Sequence, residues 1–372
     1  TKMKSYPLFK VNLPKDVHLA LQPVLESGFV SEGPKSKEFE QKFQAWLGNP
    51  NTSLVNSGTM ALTLAYRMAG VRPGKEVVVS PQTCLASTEP IQSLGGKVIW
   101  ADIDPLSGNI DPGQVEQLIT KNTVAVSFTD WAGTPCELDA LNEIAGRHGL
   151  KTIEDAAHSL GARYKNKKVG TIADFTTFSF QAIKHLTTID GGALACSSKD
   201  EYDRAVLLRW FGCARNHNNS PVKWTGDVVE YGYKGHMNDP AATIGLESLK
   251  TIDDIITRHK RNGKLMTDFL GGAKNIQSLK VPAYIESSYW IYTVLLNGTA
   301  EREHLCVELG KLGIGSNIVH TPNHKYSLFK GSYRYLPGVE EFASRQLCIP
   351  VGWWLESQDI EYIAESVKKL VE

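Results

Sequence analysis

No sign of charge dominates this chain: Lys and Arg number 40, Asp and Glu number 40, and the formal net charge is zero. Proteins that bind nucleic acid or anionic membranes in a general way need a basic excess. Both partner classes are therefore disfavoured, although a local cationic pocket for one phosphate is not. Long apolar runs are missing too. No segment could span a bilayer, and the N-terminal TKMKSYPLFKVNLP holds no apolar stretch of signal-peptide length. Cytoplasm is the expected compartment. Cysteine is sparse and scattered: Cys84, Cys136, Cys196, Cys213, Cys306 and Cys348 form no C-x-x-C pair and no zinc spacing. Reduced, buried thiols are expected, and no metal site. Internal repeats and low-complexity tracts are lacking as well.

What is present is an ordinary enzyme composition, 42% hydrophobic and 22% charged, in a chain of 372 residues that is long for one domain. From about residue 55 to 200, short apolar runs alternate with helical patterns. The runs Glu76–Ser80, Lys97–Ala101, Thr123–Phe128, Lys151–Asp155, Phe175–Phe180 and Gly192–Ser197 are near-continuously apolar rather than alternating, which predicts strands covered on both faces. Thr59–Ala69 and Leu138–His148 between them read as helices. This is an α/β pattern around a mostly parallel sheet. Beyond residue 240 the texture changes: one long amphipathic helix is predicted over Pro240–Arg261, then a strand-like Tyr289–Leu296 and a terminal helix Ser357–Leu370. The spacing predicts a large domain over 1–245 and a smaller C-terminal α+β domain over 246–372, with the N-terminal segment free to pack on the latter.

Three segments carry chemistry that suits one phosphate-bearing, ring-containing cofactor. Asn56-Ser57-Gly58-Thr59 precedes a helix, where small residues leave the first backbone N–H groups open to an anion. Taken alone it reads as a plain helix cap. Ile153-Glu154-Asp155-Ala156-Ala157-His158 ends a buried strand in an acid, which needs a cationic partner or solvent to stay charged. A protonated pyridine nitrogen is a suitable partner, and a capping Asp is the local alternative. Phe178-Ser179-Phe180-Gln181-Ala182-Ile183-Lys184, followed by Asp190-Gly191-Gly192, sets a lysine among apolar strands. Burial lowers an amine's pKa and frees its lone pair to attack an aldehyde; a surface lysine in a turn is the competing reading. Each signal is weak by itself, and their order along the chain is what distinguishes them.

Together with Gly33-Pro34, Phe39–Phe43 and Asp102-Ile103-Asp104, these segments resemble the DegT/DnrJ/EryC1/StrS family of sugar aminotransferases, of aspartate-aminotransferase fold type I, across nearly the whole chain. The resemblance implies pyridoxal 5'-phosphate (PLP) as cofactor, with pyridoxamine 5'-phosphate as its amino-carrying form. It implies Lys184 as the Schiff-base lysine, Asp155 as partner of the pyridine nitrogen, and His158 beside the 3-hydroxyl. Ser57, Gly58, Thr59 and Ser179 match phosphate contacts. Tyr231–Lys234 resembles a segment that reaches a neighbouring subunit, so Lys234 is expected to serve the partner's phosphate in a homodimer with shared sites. His320 and Trp131 are candidates for the sugar side, each with an ordinary structural reading beside it.

Two departures stand out. Cys84 or Leu85 occupies the place of a ring-stacking aromatic in Pro81–Ser87, and Gly235-His236-Met237-Asn238 lacks the usual aromatic before its polar residue. The expected reaction moves an amino group from L-glutamate to a nucleotide-linked keto-sugar, at C4 in preference to C3. A sugar dehydratase of the same superfamily is the nearest alternative, disfavoured because such enzymes carry His in place of the lysine or a cysteine cluster. A non-catalytic sensor and an amino-acid lyase are further alternatives, disfavoured by the paired Lys184 and Asp155 and by the EDAAHS spacing.

Overall fold

The structure is a computed structural model and describes residues 4–213 and 227–372. Strands β1 (Thr52–Val55), β2 (Glu76–Val79), β3 (Lys97–Trp100), β4 (Thr123–Thr129) and β5 (Lys151–Asp155) come first. A small hairpin, β6 (Arg163–Tyr164) and β7 (Lys167–Lys168), precedes β8 (Phe175–Ser179) and β9 (Gly192–Cys196). Seven of these form one sheet in the order β1-β9-β8-β5-β4-β2-β3. Only β9 runs against its neighbours β1 and β8; the other pairings are parallel. Val77, Val79, Ile153, Phe175 and Leu194 are buried in a core shared with the helix Gly58–Met68, while Val78, Val126 and Phe128 face the helix Leu138–His148 on the other side. Helices on both faces explain why the strands read as near-continuously apolar.

Apart from β9 the strands point the same way, so the ends of β1, β2, β4, β5 and β8 open on one edge. Crevices outside the carboxyl ends of such strands are where ligands bind in open α/β sheets. The chain leaves β1 into Ser57, β5 into Ala156 and β8 into Phe180, which gathers the three sequence segments along that edge.

The C-terminal unit is built on β10 (Gln277–Ser278), β12 (Tyr292–Leu295) and β13 (Gln346–Ile349), an antiparallel sheet in the order β10-β12-β13. Its core includes Met266, Leu305, Leu309, Ile360, Ile363 and Val367. Tyr6 joins that core from the N-terminus, and its N–H donates to the Gly313 carbonyl at 2.8 Å. Elsewhere the two halves interpenetrate: β11 (Ile285–Glu286) pairs with β6, and Phe329, Val339 and Phe342 pack into the core of the large sheet.

The helix expected over Pro240–Arg261 is two helices, Asp239–Leu249 and Ile252–Leu270. Thr251 leaves helical geometry (φ −116°, ψ 2°), because the two pieces bury their apolar stripes against different partners. The first lies on the helix Pro34–Leu47, so closely that a Cβ on Gly245 would stand 2.4 Å from the Phe39 ring. The second contributes Met266 and Leu270 to the C-terminal core. A division at residue 245 would cut the first helix, so we propose the boundary between Leu249 and Ile252. Two further differences concern short or exposed features. β1 lay outside the expected strands, and Cys84, Cys213 and Cys306 are half-buried rather than buried, while all six cysteines are free thiols. Among the described residues no helix is long and apolar enough to cross a membrane.

Candidate active site

Asp155, the last residue of β5, is buried, and burial pushes its carboxyl pKa up. Three influences oppose that shift: the Ser87 hydroxyl donates to Oδ2, the Ala157 N–H donates to Oδ1 at 3.1 Å, and the Lys184 charge lies within range. Ser87 is the end of a chain of hydroxyls. Thr83 Oγ1 lies 2.7 Å from both Ser87 Oγ and Thr129 Oγ1. Since Ser87 spends its only proton on Asp155, Thr83 must donate to Ser87, and Thr129 to Thr83. Tyr66 holds the Ser87 carbonyl through its hydroxyl. The sequence singled out Pro81–Ser87 for its missing aromatic and gave no role to the hydroxyls of Thr83, Ser87 or Thr129, because hydroxyl residues in a turn after a strand are commonplace.

Lys184 follows β8 in a short turn and is half-buried. Burial brings its amine down to about 8, against the opposing pull of Asp155 and Cys84. Its Nζ sits 3.7 Å from the ring centroid of Trp290. His158 is stacked on the same indole, 3.9 Å between centroids and 18° between planes. Burial, then the charge of Lys184, holds His158 well below the usual imidazole range, and its Nδ1 is buried with no hydrogen-bond partner among the described residues. Trp290 went unnoticed in the sequence, since it lies in an apolar run that reads only as a strand.

Ser57 caps the helix Gly58–Met68 by accepting from the Met60 N–H at 3.0 Å. The first-turn N–H groups of Gly58 and Thr59 are of the kind a helix leaves open. A Cβ on Gly58 would stand 2.9 Å from Ser179 Cβ, and one on Gly192 would stand 2.7 Å from the Gly58 nitrogen. These two glycines let the helix start abut Ser179, and Thr59 is exposed at that corner. Lys234 is exposed too, and its carbonyl accepts from Asn56 Nδ2 at 3.2 Å in the same chain. Cys84 is half-buried at the start of the Leu85–Ser87 turn, close enough for its charge to act on Lys184.

His320 is brought into the cluster: its ring lies 6.0 Å from that of His158 at 22°, and burial holds it down at about 4. Its Nε2 is buried without a partner among the described residues, and its carbonyl accepts from Gln82 Nε2 at 3.0 Å. Trp131 is not a pocket wall. It is 1% exposed, its indole N–H donates to Thr293 Oγ1 at 3.2 Å, and its ring meets Phe342, His158 and His320 edge-on. The expectation that it lines the sugar pocket is therefore corrected: it supports the two imidazoles from behind.

The residues present fit PLP. A buried carboxylate, a poised amine, an imidazole nitrogen with no partner among the described residues and a helix start opened by two glycines match its ring nitrogen, aldehyde, hydroxyl and phosphate in kind.

The family model for the DegT/DnrJ/EryC1/StrS aminotransferases matches residues 12–368. The chain belongs to this family. It is 31% identical to GDP-perosamine synthase of Escherichia coli O157:H7, covering 99% of each chain. It is 29% identical to the UDP-4-amino-4,6-dideoxy-N-acetyl-beta-L-altrosamine transaminase of Campylobacter jejuni, covering 95% of this chain and 94% of that one. The solved sugar aminotransferase from Micromonospora echinospora superposes with a TM-score of 0.92 at 31% identity, over 98% of this chain and 99% of that one. Family aminotransferases are PLP-dependent, and this chain is a PLP-dependent sugar aminotransferase of the α/β fold type I.

Proposed function

We propose that this aminotransferase moves the amino group of L-glutamate onto a nucleotide-linked 4-keto-6-deoxy sugar in amino-sugar biosynthesis, as a cytoplasmic homodimer with shared sites. The observation that carries the reading is the gathering of Lys184 and Asp155 at the ends of the adjacent parallel strands β8 and β5. The half-buried Lys184, its amine brought down to about 8, stands within the field of a buried carboxylate at that edge. The relatives named for a UDP-linked amino sugar and for GDP-perosamine support the substrate class and leave the nucleotide open. The donor rests on the family resemblance.

Bound PLP supplies an aldehyde that accepts amines and a ring that draws negative charge from the adjoining carbon. In this reading Asp155 holds the positive charge of the ring nitrogen, and Ser87 keeps that carboxylate ionised. Gly58, Thr59 and Ser179 take the phosphate together with Lys234 of the partner subunit, while Ser57 caps the helix whose N–H groups they share. His158, neutral at working pH, can donate to or accept from the 3-hydroxyl. Lys184 Nζ, once free, removes the proton from the donor's α-carbon and later returns one to the sugar carbon. An amine near neutrality suits both directions, since general acid–base catalysis is best when the group's pKa lies near the operating pH. His320 Nε2 is available to a sugar hydroxyl.

Incubating the protein with PLP, glutamate and dTDP-, UDP- and GDP-linked 4-keto-6-deoxy sugars tests the reading. Formation of 2-oxoglutarate and an amino sugar with one of the three supports it. Turnover with none of them, while amino acids are eliminated or sugars dehydrated, overturns it.

A further inference from the structure

Trp290 comes from far along the chain, just before β12, yet it touches the lysine turn at two points. Its indole N–H donates to the carbonyl of Ile183, the residue before Lys184, at 2.9 Å. Its π face lies under the Lys184 amine, and among the described residues no other ring does. Two backbone bonds hold the strap that carries the indole: the Trp290 backbone N–H donates to the Ala132 carbonyl and the Ser288 backbone N–H to the Gly133 carbonyl, both at 2.9 Å. Ser288 Oγ donates to the His158 carbonyl at 3.0 Å, the Ser288 carbonyl faces His185 Nε2 at 3.1 Å, and Phe9 stacks on the indole at 4.9 Å. Tyr289 between them takes a left-handed backbone (φ 48°), which turns the strap inward. The C-terminal unit thus inserts one aromatic between the lysine turn and the His158 turn.

We propose that Trp290 is the positioning residue for Lys184: its N–H pins the backbone before the lysine, and its π face favours the ammonium form of the amine. This rests on Lys184 being the PLP lysine. The titratable groups facing the amine are Asp155, Cys84, His158, His185 and His320. Asp155 and Cys84 favour the ammonium, and burial keeps the three imidazoles neutral near pH 7. The indole therefore adds to Asp155 and Cys84 against burial. It also keeps the freed amine in place while it carries a proton.

The test uses the full chain freed of PLP, with PLP added across a range of pH and growth of the visible band followed. Lys184 enters as the unprotonated amine; its nitrogen bonds the aldehyde carbon, and its two hydrogens leave with the aldehyde oxygen as water. The rate therefore rises with pH to a midpoint set by the lysine. Trp290→Leu removes a cation–π contact and is expected to lower that midpoint by about half to one unit. Trp290→Phe keeps a weaker π face and is expected to give a smaller shift with a slower rate. A folded Trp290→Leu with the wild-type midpoint overturns the proposal. If that variant does not fold, tryptophan emission of the PLP-free wild type decides: a pH step missing from both Lys184→Met and Trp290→Phe supports the contact, and no step in the wild type overturns it. Should Lys184→Ala develop the band at the wild-type rate, the assignment of Lys184 fails instead; with that band lost and the Trp290→Leu midpoint unmoved, only the role of Trp290 fails.

Discussion

Ser87→Ala is the most informative single perturbation of the cofactor site, because it leaves every group that would touch PLP in place. The hydroxyl donates to Asp155 Oδ2 in a fully buried setting, at the end of the Thr129–Thr83–Ser87 chain. A hydrogen bond to a charged group contributes about 1.5–3 kcal/mol. Its loss raises the Asp155 pKa by roughly one to two units on top of the rise burial already causes. A protonated Asp155 cannot balance the charge of a pyridine N–H, so PLP affinity should fall by about ten- to a hundred-fold. The sign of the pH dependence follows. At low pH the variant's Asp155 is protonated and the defect is largest; as pH rises the carboxylate is regained and the defect shrinks. Absorbance titrations with PLP at several pH values measure both quantities, and thermal melts report any cost of leaving the Thr83 hydroxyl without its acceptor. Ser87→Cys, with a weaker donor of similar size, should fall between wild type and alanine. If Ser87→Ala binds PLP as tightly as wild type with the same pH profile, the hydroxyl chain does not tune Asp155.

Gly192→Ala would place a Cβ 2.6 Å from the Phe178 carbonyl and 2.7 Å from the Gly58 nitrogen, both backbone atoms that cannot move aside. Overpacking of this kind costs about 1–3 kcal/mol, so a lower melting temperature and weaker PLP binding should appear together; a melt and a PLP titration check this. Asp130, just past the end of β4, and Glu154 in β5 are fully buried, and burial pushes both carboxyls up, Asp130 to about 6. Between about pH 4, where such groups titrate in an unfolded chain, and pH 6 the folded protein retains protons that the unfolded chain releases. The contribution of this pair to stability is therefore fully present below that window and is lost as pH rises through it. Asp130→Asn should flatten the decline in melting temperature between pH 4 and 7, and an unchanged slope would count against the buried pair.

Legibility in the sequence followed packing. Strands covered on both faces showed themselves as apolar runs, and the helix Leu138–His148 was read to the residue because its apolar face is unbroken. β1 escaped because four residues, TSLV, carry too little pattern. The break at Thr251 escaped because an amphipathic stripe continues across it while its packing partner changes. The cofactor segments were legible because their residue types lie in a fixed order, each at a strand end. Trp290, Gln82 and the Ser87 chain were not, since they act across sequence distances that only the fold closes. Trp131 misled for a related reason: an aromatic beside a site can wall it or brace it, and only its spent N–H and its burial distinguish the two.

The central claim is that Lys184 is the amine that joins PLP. Borohydride reduction of the PLP-loaded protein, followed by digestion and peptide mass analysis, tests this most directly. The account predicts a pyridoxyl tag on the peptide that contains Lys184 and on no other. A tag on a different lysine, or a yellow protein whose Lys184 peptide keeps its unmodified mass after complete reduction, would contradict it.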